Sequence, residues 1–432
     1  MIMQYYSTNG QAPVTSFKEA IFTGLPSDNG LFLPTEIPLL DDHFLAHLSE
    51  KSLVEIGLEV SKAFVGDEIQ PDALESLITE VLNFEIPLVQ VSEDVFSLEL
   101  YHGPTYAFKD VGARFLARCL SHFVAQSGEK LTILVATSGD TGSAVANGFY
   151  QVPGIDVVLL YPGGGKVSKI QEQQLTTLGA NITALEIDGT FDDCQRMVKS
   201  AFLDEAMRKH RNLTSANSIN IARLIPQSFY YFHAMAQLQS AGKPVVFSVP
   251  SGNYGNLSAG LMASQMGLPF ARMLACSNVN KVVPDYLKTG EFQPRASEMT
   301  ISNAMDVGNP SNFARMNAWY GGDLSKMQLD IGGYWYSDEE TRKGLKKVYQ
   351  DQQYLMDPHG AIGYLGLKAY QEQNDVTGIF LETAHPAKFI DVVEETIEEK
   401  IKIPERLQAC LDKEKQAVKM PPEYEALKAF LW

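Results

Sequence analysis

A lysine, three glycine-bearing loops and a cluster of serines and asparagines are the residues here whose types and spacing could do chemistry. In the run Tyr101-His-Gly-Pro-Thr-Tyr-Ala-Phe-Lys-Asp110, Gly103 and Pro104 break regular structure. Lys109 then falls where the turn passes into an amphipathic helix with apolar positions at Val111, Phe115, Leu116, Leu120, Phe123 and Val124. The positive end of a helix dipole disfavours a cation at that point, and Ala107 and Phe108 displace water from it. Both effects lower an amine's pKa and favour a neutral, nucleophilic nitrogen. The plainer reading is a surface lysine with its head in water.

The three loops follow apolar runs. Thr137-Ser-Gly-Asp-Thr-Gly-Ser-Ala and Val249-Pro-Ser-Gly-Asn-Tyr-Gly-Asn256 each join a strand to a helix, and Pro162-Gly-Gly-Gly-Lys166 lies between them. A strand-to-helix junction offers unpaired N–H groups and a favourable dipole for an anion, although glycine at such turns is often only steric. None of the loops is a nucleotide motif. A P-loop would need glycine where Leu160 stands and Ser or Thr where Val167 stands, and no G-x-G-x-x-G occurs. The phosphate to be bound is therefore not expected to be that of ATP or NAD.

Ser215, Asn217, Ser218 and Asn220 open the next helix, with Arg223 one turn inside it. One cap needs one such residue. Several together with an arginine also suit an anion cradle, and both readings stand. Thr383-Ala-His-Pro-Ala-Lys-Phe389 follows another apolar run, where His385 has the setting of a structural histidine. No His or carboxylate pair has metal-ligand spacing, so no metal is expected.

The elements that must position these residues alternate. Strands are predicted over 131–137, 156–161, 182–187, 245–249 and 378–383, and helices over 144–150, 167–178, 191–207, 219–239 and 257–266. Such alternation predicts an α/β protein with parallel sheets covered on both faces, whose ligands gather at strand carboxyl ends. The opening residues differ. A turn-rich piece, 24–34, precedes helical patterns near 44–49, 52–64 and 73–82. Three sections follow: 1–95, mainly helical; 96–240, a first α/β domain with Lys109 and the loops at 137–142 and 215–223; and 241–432, a second α/β domain ending in helices.

The 432 residues carry a formal net charge of −17, which argues against nucleic acid and anionic membranes as partners. No apolar run approaches a membrane span, and the start of the chain lacks a secretory pattern. The four cysteines are widely spaced, which fits a reducing cytoplasm.

Taken together, these motifs resemble the threonine synthase family, pyridoxal-phosphate enzymes of the tryptophan-synthase-β-like fold (fold type II). The resemblance covers nearly the whole chain. Tyr5-Tyr-Ser-Thr-Asn-Gly10 and Gly30-Leu-Phe-Leu-Pro34 are similar to that family's N-terminal domain. His102-Gly-Pro-Thr, Ala107-Phe-Lys-Asp110, Thr137–Gly142, Ser215–Asn220, Pro250–Gly255, Ser302-Asn-Ala-Met-Asp306 and Thr383–Phe389 follow in the family's order. The resemblance implies two doubly wound parallel-sheet domains behind the N-terminal domain. It also implies conversion of O-phospho-L-homoserine and water to L-threonine and phosphate, by γ-elimination and β-addition.

By the same resemblance Lys109 holds pyridoxal phosphate as a Schiff base and takes the α-proton. Gly252, Asn253, Tyr254, Gly255 and Asn256 bind the cofactor, mostly its phosphate, and Thr383 meets its pyridine nitrogen. Tyr254 and Asn256 stand where family members often carry Phe and Asp. Ser138, Gly139, Asp140 and Thr141 are implied for the substrate carboxylate, and Ser215, Asn217, Asn220 and Arg223 for the substrate phosphate. A monomer is expected. The competing readings are a dehydratase or phospholyase on the same fold, a nucleotide-dependent phosphotransferase, and a binding protein without activity.

Overall fold

A computed structural model of the protein describes residues 3–238 and 242–432. Its N-terminal section contains a small antiparallel sheet that periodicity did not predict. Gln4–Ser7 lies centrally between Thr15–Ser16 and Phe32–Pro34. Helices Leu53–Val65 and Pro71–Val81 follow. The first begins with a reciprocal Ser52/Glu55 capping box, and Pro71 opens the second, where a missing N–H costs nothing. The buried Tyr5 hydroxyl donates to the Phe64 carbonyl at 2.7 Å and ties sheet to helix.

Two larger sheets carry the rest. The five-stranded sheet runs in the order Val418–Met420, Ile182–Ile187, Ile155–Pro162, Leu131–Ala136 and Leu213–Thr214, all parallel. The six-stranded sheet runs Ile331–Trp335, Arg272–Ser277, Val245–Pro250, Thr377–Glu382, Val95–Glu99 and Leu88–Ser92. Only its last pair, a hairpin, is antiparallel. Strands 131–136, 245–250 and 377–382 are buried along their whole length, as parallel strands covered by helices must be.

The sheets do not follow the contiguous boundaries expected from the sequence. Val95–Glu99 completes the sheet formed mainly by residues after 241, and Val418–Met420 closes the edge of the other. The six-stranded sheet thus takes the early hairpin Leu88–Ser92 and Val95–Glu99, and the five-stranded sheet takes one late strand. The expected boundary at 240/241 lies outside the described residues.

Two predicted helices are broken. The pattern over 219–239 becomes helix Ile221–Leu224, a 3-10 turn Ile225–Ser228 and helix Phe229–Gln237, because Pro226 cannot donate to the ladder. Gln239, its predicted end, lies outside the described residues. The pattern over 191–207 splits at Asp204, whose extended backbone ends Phe191–Leu203 and whose carboxylate caps Glu205–His210. Strands 272–277 and 331–335 were not predicted. The first is a short apolar run, and Gly332 and Gly333 interrupt the second.

Replacing Tyr5 by Phe leaves the Phe64 carbonyl buried without its partner. The Tyr5→Phe variant is expected to lose about 1–2 kcal/mol of stability in urea denaturation. An unchanged transition midpoint would show that the tie contributes nothing.

Candidate active site

Asp140, Arg223 and Lys388, each following a strand, surround Lys109. The lysine is the first residue of helix Lys109–Ser127. Its turn is stitched to the end of strand 377–382: Phe108 N–H donates to the Thr383 carbonyl at 2.9 Å, and His385 N–H donates to the Tyr106 carbonyl at 3.1 Å. The predicted lysine and the predicted Thr383 are therefore brought together through backbone alone. Lys109 is partly accessible to solvent, but the protein packed around it governs its hydration. Burial lowers its pKa to about 8; Asp140 opposes that shift, while the Arg223 and Lys388 charges add to it.

The loop after strand 131–136 is shaped by Thr137, whose hydroxyl accepts the N–H groups of Gly139 at 3.1 Å and Gly142 at 2.8 Å. Gly139 has φ 144°, and a Cβ there would sit 2.6 Å from the Gln171 side chain, so only glycine fits. Helix Asp140–Phe149 starts here, and its first N–H groups have no partner within the helix. Ser138 and Thr141 are partly exposed beside them.

Asp140 plays a different part from the rest of that loop. Its buried carboxylate accepts from Lys388 Nζ at 2.7 Å and from Gln171 Nε2 at 2.9 Å. Burial pushes its pKa up, but Lys388 and Lys109 outweigh that and hold it well below the usual carboxylate range. Only its main-chain N–H is left for an anion, so the side chain is not a carboxylate ligand. Lys388 also donates to the Thr105 carbonyl at 3.0 Å.

The 215–223 cluster divides as well. Asn220 Nδ2 donates to the Ile21 and Ser215 carbonyls at 2.9 and 3.0 Å, and its Oδ1 caps helix Ile221–Leu224. Its side chain is spent on the fold, which corrects its assignment to the substrate phosphate. Asn217 Nδ2 donates to the Ala136 carbonyl at 3.2 Å, and Ser215 Oγ accepts the Asn217 N–H. Arg223 is buried and donates to the Ala216 carbonyl, but its Nε has no partner. Burial lowers its pKa to about 10, against the attraction of Asp110, so it remains a cation at neutral pH. An unpaired buried N–H on a cation is a seat for an anion.

The third loop closes the site. Helix Gly255–Gln265 has no side-chain cap. A Cβ on Gly252 would lie 2.6 Å from Met305 Cα, so the loop approaches residues 302–306 as closely as backbone allows. Asn253 Nδ2 donates to Ser218 Oγ, and its Oδ1 accepts the Ser311 N–H at 2.6 Å. Tyr254 sits in the left-handed region, with its hydroxyl on Ser277 Oγ. Asn256 uses both ends of its amide on Ser251, the Leu257 N–H and the Pro250 carbonyl, so it shapes the loop internally. The loop presents main-chain donors at a helix start, a seat for a phosphate.

Several residues here were not legible in the sequence. Lys388 lies within Thr383–Phe389, but only its burial against Asp140 reveals its role. Gln171 joins Asp140 to Asn303, whose Nδ2 donates to Gln171 Oε1 at 3.4 Å. Glu382, fully buried, has its pKa raised well above normal by burial and by the Asp357 charge, so the residue next to Thr383 brings no anion there. Buried acids and amides of this kind leave no periodic trace.

A low-pKa lysine, a helix-start phosphate seat and a second helix start with its own open donors fit pyridoxal phosphate and an amino-acid substrate. A family model described as pyridoxal-phosphate dependent enzyme matches residues 84–379. This fold and site are those of a pyridoxal-phosphate-dependent lyase of fold type II. Flanking models match the threonine synthase N terminus at residues 4–82 and the threonine synthase C-terminal region at 360–431. A threonine synthase of Haemophilus influenzae is 43% identical, with 99% of each chain covered. The crystal structure of threonine synthase from Escherichia coli superposes with a TM-score of 0.93 at 40% identity, covering 99% of each chain. A pyridoxal-phosphate-bound threonine synthase from Brucella melitensis superposes at 0.92, with 35% identity over 99% of this chain and 98% of that one. The chain belongs to the threonine synthase family.

Because the neutral amine is the reactive form, labelling of Lys109 by trinitrobenzenesulfonate should rise with pH through a midpoint near 8. Asp140→Asn removes a charge that raises the Lys109 pKa and should move that midpoint to lower pH. Peptide mapping by mass spectrometry reads both. A midpoint near that of a free lysine, about 10.4, would overturn the assigned environment.

Proposed function

We propose that the chain converts O-phospho-L-homoserine and water to L-threonine and inorganic phosphate, acting as a monomer in the cytoplasm. The observation that carries this reading is a lysine of lowered pKa, bonded through its neighbour's backbone to Thr383 and set among charges from two lobes. Family membership supports the activity. The four cysteines are free thiols, three of them buried, which supports a reducing compartment. Among the described residues no helix is long and apolar enough to cross a membrane.

Pyridoxal phosphate, when bound, supplies an electron sink for the substrate's Cα. In this reading Lys109 holds it, takes the proton from Cα and returns it there. Main-chain donors across Gly252, Asn253, Tyr254, Gly255 and Asn256 hold its phosphate, and the Thr383 hydroxyl meets its pyridine nitrogen. Ser138, Gly139, Thr141 and the Asp140 N–H orient the substrate carboxylate. Ser215, Asn217 and Arg223, the last through Nε, hold the phosphate that leaves Cγ, and Asn220 positions them. A neutral Glu382 beside Thr383 keeps a negative charge away from the ring nitrogen. The part of 1–95 before strand Leu88–Ser92 would serve as a packing domain, with the two sheets as the working lobes.

Purified protein given O-phospho-L-homoserine is expected to release phosphate and threonine in equal amounts. Lys109→Ala should lower turnover by about 10³-fold or more. Phosphate release with a 2-oxo acid and no threonine would overturn the water-addition step, and near-normal turnover of Lys109→Ala would overturn the role of the lysine.

A further inference from the structure

Arg315 is the largest fully buried side chain among the described residues, 0% exposed, on helix Phe313–Trp319. Its guanidinium makes four hydrogen bonds. Nε donates to the Phe32 carbonyl at 3.2 Å, Nη1 to the Ser218 carbonyl at 2.9 Å and Asn312 Oδ1 at 2.6 Å, and Nη2 to the Ile219 carbonyl at 2.6 Å. Every acceptor is neutral. Among the described residues no carboxylate pairs with it. Burial lowers its pKa to about 9, which still leaves it cationic at neutral pH. Carbonyl dipoles solvate such a charge in part, but a buried cation is normally retained against a buried anion.

The surroundings point to where that anion sits. Asn312 turns its Oδ1 to Arg315, and its Nδ2 lies 3.5 Å from the place a Cβ on Gly255 would occupy. The same Nδ2 is 3.5 Å from Ser218 Oγ, which accepts from Asn253 of the glycine loop. Asn253 is anchored in turn by the N–H and hydroxyl of Ser311. One shell of amides and hydroxyls thus separates the guanidinium from the start of helix Gly255–Gln265. In that shell the Asn312 Oδ1 and the Ser218 carbonyl accept from the cation, while Ser218 Oγ accepts from Asn253 of the loop.

We propose that Arg315 is a positioning residue for the cofactor phosphate: it supplies the buried positive charge that the bound phosphate balances, acting through Asn312 and Ser218 without touching the ligand. The proposal rests on the reading of residues 252–256 as the phosphate seat. It makes the charge of Arg315 useful only to ligands that carry a phosphate. A carbonyl clamp with no electrostatic role would affect phosphorylated and unphosphorylated ligands alike.

The test compares apoprotein affinities for pyridoxal phosphate and for pyridoxal, and the thermal shift produced by inorganic phosphate. The proteins are wild type, Arg315→Lys, Arg315→Met, Asn312→Ser and Gly252→Ala. Arg315→Met is expected to weaken pyridoxal phosphate by about tenfold or more, leave pyridoxal within about twofold, and abolish the phosphate-dependent rise in Tm. Arg315→Lys, which keeps the charge, should retain most of the preference for the phosphorylated ligand, and Asn312→Ser should lose part of it. If Arg315→Met fails to fold, the Lys and Ser variants carry the test. Equal weakening of both ligands, an intact phosphate shift in Arg315→Met, or an undiminished preference in Asn312→Ser would overturn the proposal. A lost preference in Gly252→Ala alone would overturn the role of Arg315 only. A preference intact in Gly252→Ala as well would overturn the phosphate seat itself.

Discussion

The buried ion pair between Asp140 and Lys388 is the contact on which the site's geometry depends. Asp140 starts the helix that follows strand 131–136 of one sheet, and Lys388 follows strand 377–382 of the other. A charge pair taken out of water holds only with good geometry and with its remaining hydrogen bonds filled. Here Gln171 and the Thr105 carbonyl fill them. Removing one partner of such a pair costs about 3–5 kcal/mol, because the other is left buried and alone. The pair therefore ties a helix start of one lobe to the segment after a strand in the other. It also sets the field at Lys109, where Asp140 favours the ammonium and Lys388 disfavours it.

Around that pair the chain builds donors rather than charges. Two helices begin in glycine-bearing turns, and their uncapped N–H groups offer seats for small anions despite a formal net charge of −17. Local dipoles decide this, because the mean field of a folded protein is screened while aligned N–H groups at contact distance are not. The cations that do lie nearby, Arg223 and Arg315, are buried and bonded mainly to carbonyls. They lend charge without the mobility of surface lysines.

The interleaved sheets bear on dynamics. One lobe contains an early hairpin and the other a late strand, so the lobes cannot part as two sequence-contiguous blocks. Their relative motion has to be absorbed by the segments that cross between them. Cross-lobe contacts such as Asn303 to Gln171 and Asn253 to Ser218 are single hydrogen bonds, the kind that can exchange as lobes adjust. The stitch between Phe108 and Thr383 is main-chain pairing beside a sheet and holds the lysine in place throughout.

Much of this was written locally. Strand Ile182–Ile187 was predicted to the residue, because an apolar run between turns needs no tertiary information. The turns before helices Lys109–Ser127, Asp140–Phe149 and Gly255–Gln265 were legible because glycine and proline mark them locally. The long helix expected over 219–239 failed because apolar spacing outweighed Pro226 in the reading, whereas the backbone obeys the missing N–H. What only the tertiary structure decided are relations between distant residues. Asn220 caps a helix and bonds Ile21 rather than a ligand, Asp140 meets Lys388, and Arg315 is buried without an acid. Sequence determines which donors and charges exist and which turns can present them. Only folding decides which are consumed by neighbours far along the chain and which are left open, because burial and pairing depend on what packs alongside and not on what comes next.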